Sequence, residues 1–376
     1  MLFTAGMMDQ MLNTAVSHLG HIQIQHPEFA DDPTVSRTIR DPEPVFRVLE
    51  QFPDTIAHYA PRLMARGLAR SATNAVGVQI LGVDAQRESL LTNVAERIVA
   101  GHYLTGETSP RRQEVIIGSD LAEDLDVRIG KKIVLVTQAL TDGGTEMNSG
   151  AFRVVGIFQL ASEAFNSSMV FINLEDAHEL LNTRGLSEVA LVLRDRKMLF
   201  AAAERFDELL DDEFYAVRTW RQASRSLVQM LEMSESWLLV YVVVVFLGAA
   251  FGIVNTMLMA VFERTHEFGI LRAIGTGRWA LFRLVIYEAL FLSVIGTVLG
   301  LLLIGLLHVS WLHKGLDLSI FEASLTMFGS DVVIKPAYRL DLILETIVIV
   351  MLMSVLASIW PALRAALLQP AETMRE

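Results

Sequence analysis

Cysteine is absent from all 376 residues, which excludes a disulfide framework, thiol catalysis and Cys-ligated zinc. No GxxxxGKS or GxxxxGKT stretch occurs, so no P-loop places ATP hydrolysis on this chain. His266 and Glu267 begin an HExxH pattern that lacks its second His, and a zincin site fails. Basic charge is scarce: 31 Lys and Arg stand against 43 Asp and Glu, a net of -12. That is the wrong sign for a phosphate-binding surface and argues against a nucleic-acid partner. Met1 to Leu19 is too polar and short to span a bilayer and lacks the basic start of a signal peptide.

What is abundant is apolar character, 52% of residues, and it is unevenly placed. Residues 231–376 hold only 9 of the basic and 12 of the acidic groups, so a water-soluble part precedes a membrane part. Three runs reach the roughly 20 apolar residues that a membrane helix needs: about 237–261, 284–307 and 342–360, the last closed by Pro361. Gly248 with Gly252, and Gly296 with Gly300, form GxxxG pairs, read either as helix-packing faces or as scattered membrane glycines. Few polar groups are left to line an aqueous pore: Asn255, Thr256, Glu288, Ser293 and Thr297. Lys and Arg beside the spans divide six against six, so charge alone assigns no orientation.

Residues 17–218 alternate short strands and helices, an α+β domain. Strands are expected at His21–Gln25, Val76–Val83, Glu114–Ile117, Met169–Ile172 and Val189–Leu193. Helices are expected at about 120–125, after a cap at Asn173, and at about 198–210. KKIVLVT and FRVVGIF form a hairpin around TDGGTEMNSG, with Asp142, Gly143, Gly144 and Thr145 at a candidate partner-binding tip. A connecting stalk helix, 219–236, enters the first span with no Gly or Pro break.

Between the first two spans lies FERTHEFGILRAIGTGRW, residues 262–279. Phe268, Ile270, Leu271 and Ile274 read as one helical face, with Arg264, Glu267, Arg272 and Arg278 around them, and Gly275 and Gly277 end the pattern. Two readings stand: a helix lying in the headgroups, and a docking helix for a cytosolic partner.

NTMLMAVFERTHEFGILRAIG, residues 255–275, resembles the segment around the cytoplasmic loop of the FtsX-like permease family, the MacB/LolC/LolE type of ABC-transporter membrane subunit. Arg264, Glu267, Phe268, Gly269, Arg272, Ala273, Ile274 and Gly275 meet its pattern. Pro361, Ala362, Arg364, Ala365, Ala366, Pro370 and Arg375 in PALRAALLQPAETMRE fit the family's C-terminus. Glu288 followed by Gly296 and Gly300 is similar to its third membrane helix, and FRVVGIF less sharply to its periplasmic core.

The resemblance implies four membrane helices, a large periplasmic domain after the first, and dimers of a permease with a second copy or paralogue on two cytosolic ABC ATPases. This chain shows three spans, so residues 1–16 read as the tail of a truncated first helix and 237–376 as the FtsX-like membrane domain. Loop 262–283 would couple to the ATPase through Arg264, Glu267, Phe268, Gly269, Leu271, Arg272 and Gly275. ATP and Mg would sit on that partner, with no cofactor, metal or catalytic residue on this chain. The implied function is release or export of a lipoprotein or other hydrophobic substrate from the bacterial inner membrane, with a periplasmic lipoprotein, chaperone or adaptor and membrane lipids as further contacts. Two alternatives stay open: a signalling subunit that activates a cell-wall hydrolase, and a drug or peptide efflux permease. His18, His21 and His26 read as packing or surface groups against a metal site. Glu288 reads as a structural hydrogen-bond partner or a coupling residue.

Overall fold

The computed structural model describes residues 6–8, 10, 16, 19–30, 32–107, 113–141, 143–211, 213–223, 225–310, 315–321, 333–334 and 340–367. The expected helix tail at 1–16 lies mostly outside them, and Asp142, His18, Pro370 and Arg375 lie wholly outside. Two compact units form: Asp9–Gln229 with Leu318–Val332, and Met1–Met8 with Met230–Asp317 and Val333–Glu376.

The first unit carries strands β1 (Ile22–Gln25), β2 (Ile56–Arg70), β3 (Ala75–Val83), β4 (Ile98–Gly101), β5 (Glu114–Gly118), β6 (Lys132–Thr141), β7 (Gly144–Phe158), β8 (Met169–Asn173), β9 (Glu188–Leu193) and β10 (Ala216–Thr219). Helices α1 (Glu43–Leu49), α2 (Ala85–Leu91), α3 (Ser119–Asp124), α4 (Glu163–Ser168), α5 (Leu174–Leu181), α6 (Leu199–Asp207) and α7 (Trp220–Ala223) lie between them. The sheet runs β10-β1-β9-β2-β3-β8-β5-β7-β4, with β6 joining β2 to β7. Its pairings therefore close on themselves through β2, β3, β8, β5, β7 and β6. Each strand of that ring gives a fully buried side chain to one core: Leu63, Ile80, Val170, Ile117, Phe152 and Ile133 in ring order. Leu121 of α3 and Leu180 of α5 complete it.

The alternation in β6 buries Ile133, Leu135, Thr137 and Ala139 between exposed or half-buried neighbours, as period-two patterning demands. The ladder of β6 and β7 runs out to the pair Thr141 and Gly144. TDGGTEMNSG, expected as a long turn, is thus mostly ladder. β2 has no counterpart among the expected strands. IAHYAPRLMARGLAR is rich in Ala, Leu and Arg and holds Pro61 and Gly67, a composition of poor strand propensity. Pairing with β3 along its second half, β9 along its first and β6 at its end makes it the hub of the sheet. Gly67 sits at the switch from β9 to β6, where an added Cβ would fall 2.5 Å from the Val136 carbonyl oxygen.

Two expected helix starts differ. Asn173 occupies the cap position of α5, but it is also the last residue of β8, paired with Val83, and its side chain makes no cap bond. Thr219 belongs to β10, paired with Ile22, so helix begins at Trp220 and not within the expected stalk's first residue.

The second unit holds α8 (Arg225–Glu263), α9 (Thr265–Ala273), α10 (Arg278–Ser310) and α11 (Leu340–Leu367). Segments Ser236–Glu263, Arg278–His308 and Leu340–Leu367 each contain an 18-residue stretch of mean hydropathy 2.6, 2.7 and 2.5 respectively, and are long and apolar enough to cross a membrane. Pro361 was expected to close the last span, yet α11 passes through it to Leu367. One lost backbone hydrogen bond is tolerable there because the following turn is packed: Ala362 and Ala365 are fully buried.

Candidate coupling site

The loop between the first two spans folds as α9, nine residues long. Its end is set by Gly275 at φ +99°, where the Gly275 N–H donates to the Arg272 carbonyl and the Thr276 N–H to that of Leu271. This is the paired-bond geometry that a left-handed residue after a helix makes possible, and glycine adopts it without Cβ strain.

The expected single apolar face divides in two. Phe268 is 2% exposed and packs with Met257 and Val261 of α8, Leu281, Val285 and Ala289 of α10 and Ala362 and Ala365 of α11, with Leu271 at the edge. Gly269 is buried beside it. Ile270 and Ile274 are 45% and 74% exposed. At about 100° per residue, Ile270 lies some 200° around the helix from Phe268, so grouping them was an error of phase. The coupling residues inferred from the motif therefore separate by role: Phe268, Gly269 and Leu271 seat the helix, while Glu267 and Gly275 are exposed and Arg272 is half-buried.

Arg264 joins the two parts. Its Nε donates to Glu267 Oε2 at 2.9 Å and its Nη1 to Glu288 Oε1 at 3.0 Å, with the guanidinium 5.7 Å from the Phe268 ring centre. Glu288, on α10, thus has a cationic partner at the end of the loop, which answers the cost of a lone carboxylate in a membrane run. Glu267, Ile270 and Ile274 recur every three or four residues along the open side of α9, and Trp279, at the start of α10, is 72% exposed. The signal for this face was present in the sequence as an unused period of 3.6.

The four GxxxG glycines sit on open faces: a Cβ built on Gly248, Gly252, Gly296 or Gly300 would meet nothing within 4 Å. Gly252, Gly296 and Gly300 line an apolar groove of about 1160 Å³ bounded by α8, α10 and α11. In it Ser293 Oγ and Thr297 Oγ1 are buried without a hydrogen-bond partner among the described residues. Gly143, Gly144 and Thr145 stand exposed at the hairpin tip. His21 is buried, its Nδ1 accepting the Leu193 N–H at 2.8 Å. Among the described residues no group of three His, Asp or Glu could hold a metal ion.

Sequence patterns missed a buried charge cluster in the first unit. Arg62 of β2 stands directly opposite Glu188 of β9 in register. It donates to Glu188 Oε1 at 2.9 Å and, through two nitrogens, to Glu88 of α2 at 2.7 and 3.0 Å. Burial pushes the Glu188 carboxyl up, against the pull of Arg62.

Residues 239–370 match the FtsX-like permease C-terminal family and residues 1–209 the MacB-like periplasmic core domain. Among relatives, a lipoprotein-releasing system transmembrane protein LolC of Xylella fastidiosa is 26% identical over 78% of this chain and 72% of its own length. A LolE protein of Haemophilus influenzae is 24% identical over 93% and 85%. The solved periplasmic region of MacB from Actinobacillus actinomycetemcomitans covers 58% of this chain and 95% of its own, at 12% identity and a TM-score of 0.39. A multi-pass place in the inner membrane, with the core domain in the periplasm, goes with that family, as does a permease role without catalytic residues. The chain belongs to the FtsX-like permease family, a membrane subunit of ABC transporters with a MacB-like periplasmic core domain.

Proposed function

We propose that α9 is the coupling helix on which a cytosolic ABC ATPase docks, and that its movement is passed along α8 to the periplasmic core domain. The observation that carries this reading is the division of α9 into a seated face, Phe268 and Leu271, and an open face, Glu267, Ile270 and Ile274. A helix merely lying in headgroups needs no clamp from three other helices; a helix that transmits force does. α8 runs unbroken from Arg225 to Glu263, ending one residue before Arg264, so a push on α9 is delivered to a rigid rod. The energy enters from the partner, which holds ATP and Mg.

The substrate is a lipoprotein or another hydrophobic molecule released or exported from the membrane. Support comes from the lipoprotein-releasing relatives LolC and LolE, which this chain follows through both its parts. A second copy or paralogous permease covers the open glycine faces of α8 and α10, and a periplasmic chaperone or adaptor meets the tip around Gly143, Gly144 and Thr145. Co-purification of the full-length protein from membranes tests the partner: an ABC ATPase is recovered with wild type and lost with Glu267→Lys. Recovery of equal amounts with both would remove α9 as the contact.

A further inference from the structure

The register of β2, β3, β6 and β7 turns one set of side chains outward, opposite the buried Leu63, Ile80, Ile133 and Phe152. On that outer face Arg70 stands across from Val134, Leu68 across from Val136, and Lys132 directly across from Arg153. Arg66 extends the row along β2. The four cations are exposed, and Leu68 and Val134 among them are 44% and 38% exposed. Residues 66–70, 75–79, 132–138 and 147–153 contain no Asp or Glu. Glu114, which register sets beside Arg153, is taken by the N–H and hydroxyl of Thr105. None of the four cations has an ion-pair partner among the described residues. Like charges directly opposite on a ladder destabilise it, and here they stand uncompensated in a chain of net charge -12.

The same unit carries the complement. Leu199, Ala202 and Phe206 seat α6, which leaves Phe200, Glu204 and Asp207 together on its outer side at spacings of four and three. Phe200 is 65% exposed, and neither acid has an ion-pair partner among the described residues. α6 packs on β10, and β1 and β9 lie between β10 and β2, so the two sets stand open without meeting inside one chain. An anionic lipid surface would neutralise the cations and leave Phe200 and its carboxylates bare. A second copy covers both sets at once, and a two-fold axis makes the contact twice.

We infer that the outer face of β3, β2, β6 and β7 docks the acidic side of α6 from a second copy of this chain, with Phe200 against Leu68 and Val134 and with Glu204 and Asp207 against Arg70 and Lys132. This rests on the paired-permease reading above and adds to it which surfaces of the periplasmic domains meet. Aromatic and Arg side chains are the groups that carry most of the binding energy in such contacts.

Because the chain has no Cys, Val134→Cys and Phe200→Cys each introduce a lone thiol. The experiment expresses two full-length copies with different tags in native membranes, one carrying each change, and oxidises them with copper phenanthroline. A covalent dimer of the two tags is expected, at about tenfold the yield of the same-site pairs, Val134→Cys with itself or Phe200→Cys with itself. Arg70→Glu with Lys132→Glu in the first copy should lower that yield about tenfold, and Glu204→Arg with Asp207→Arg in the second copy should restore most of it. If the charge variants fail to fold, the crossed yield against the two same-site yields decides alone. Capture through one tag reads pairing separately. Copies that co-purify without a crossed dimer would overturn the inference and leave the paired reading standing, while copies that do not co-purify would remove both. A thiol at position 134 shielded from a maleimide in the absence of a crossed dimer would give the face to lipid or another protein and overturn the inference, as would a crossed dimer indifferent to charge reversal.

Discussion

Arg264 and Glu288, twenty-four positions apart, meet at 3.0 Å and tie the start of α9 to the side of α10. Arg264 holds Glu267 with its other edge, so one guanidinium fixes both the entry of α9 and an acid on its open face.

A double-mutant cycle on Arg264→Ala and Glu288→Ala should give an interaction of about 0.2–1 kcal/mol, the range for a solvent-exposed pair. Glu288→Gln should lower stimulation of the partner ATPase, and the charge swap Arg264→Glu with Glu288→Arg should restore part of it. A swap no better than either single change would show that the pair does not position α9.

Phe268→Ala should destabilise the helical unit by about 3–5 kcal/mol, because the ring is wholly enclosed by three other helices. Ile274→Ser should leave thermal stability within about 0.5 kcal/mol and reduce ATPase recovery. Melting curves of both variants in one detergent, beside the co-purification yield, separate seat from contact.

Gly275→Ala should cost about 1 kcal/mol from backbone strain alone, since the space around it is open. Gly277→Ala, at an ordinary φ and in equally open space, should be nearly neutral. Unfolding midpoints of the two variants make the comparison internal.

Burial, and then the Arg196 charge, lower the His21 pKa to about 4. The unfolded chain therefore takes up a proton that the folded chain refuses between pH 6.5 and 4, and stability falls as pH falls through that window, by up to about 3 kcal/mol. Protonation would also cost the Nδ1 acceptor its bond from Leu193. Asp176 opposes this: burial, then Glu179, raise it to about 6, so its share is lost as pH rises from 3.8 toward 6. Hydrogen exchange at the Leu193 amide, corrected for intrinsic rate, should show the acid loss in wild type and a smaller one in His21→Gln.

The membrane helices were legible because length and apolarity suffice to name them, but two ends moved: α10 starts at Arg278, ahead of the expected start at about 284, and α11 runs on through Pro361, held by the buried turn after it. The strands with alternating or β-branched runs, β3, β6 and β9, were legible for the same kind of local reason. β2 was not, since its strand state comes from three partners distant in sequence and not from its own residues. For α9 the motif gave the helix and its terminating Gly275, but not its phase. Which of Phe268 and Ile270 faces inward depends on α10 and α11, which the loop's sequence does not contain. The Arg62 cluster was invisible because its members lie 26 and 126 positions apart and meet only across the folded sheet.

The most direct test of the coupling account is photocrosslinking in native membranes, with a benzophenone amino acid placed at Ile274 and, as control, at Thr145 on the hairpin tip. A crosslink from Ile274 to an ABC ATPase, strengthened or weakened by nucleotide and absent from Thr145, is the expected result. Crosslinks from Ile274 to lipid alone, with the ATPase present in the same membranes, would contradict the account and leave α9 as a helix at the membrane surface.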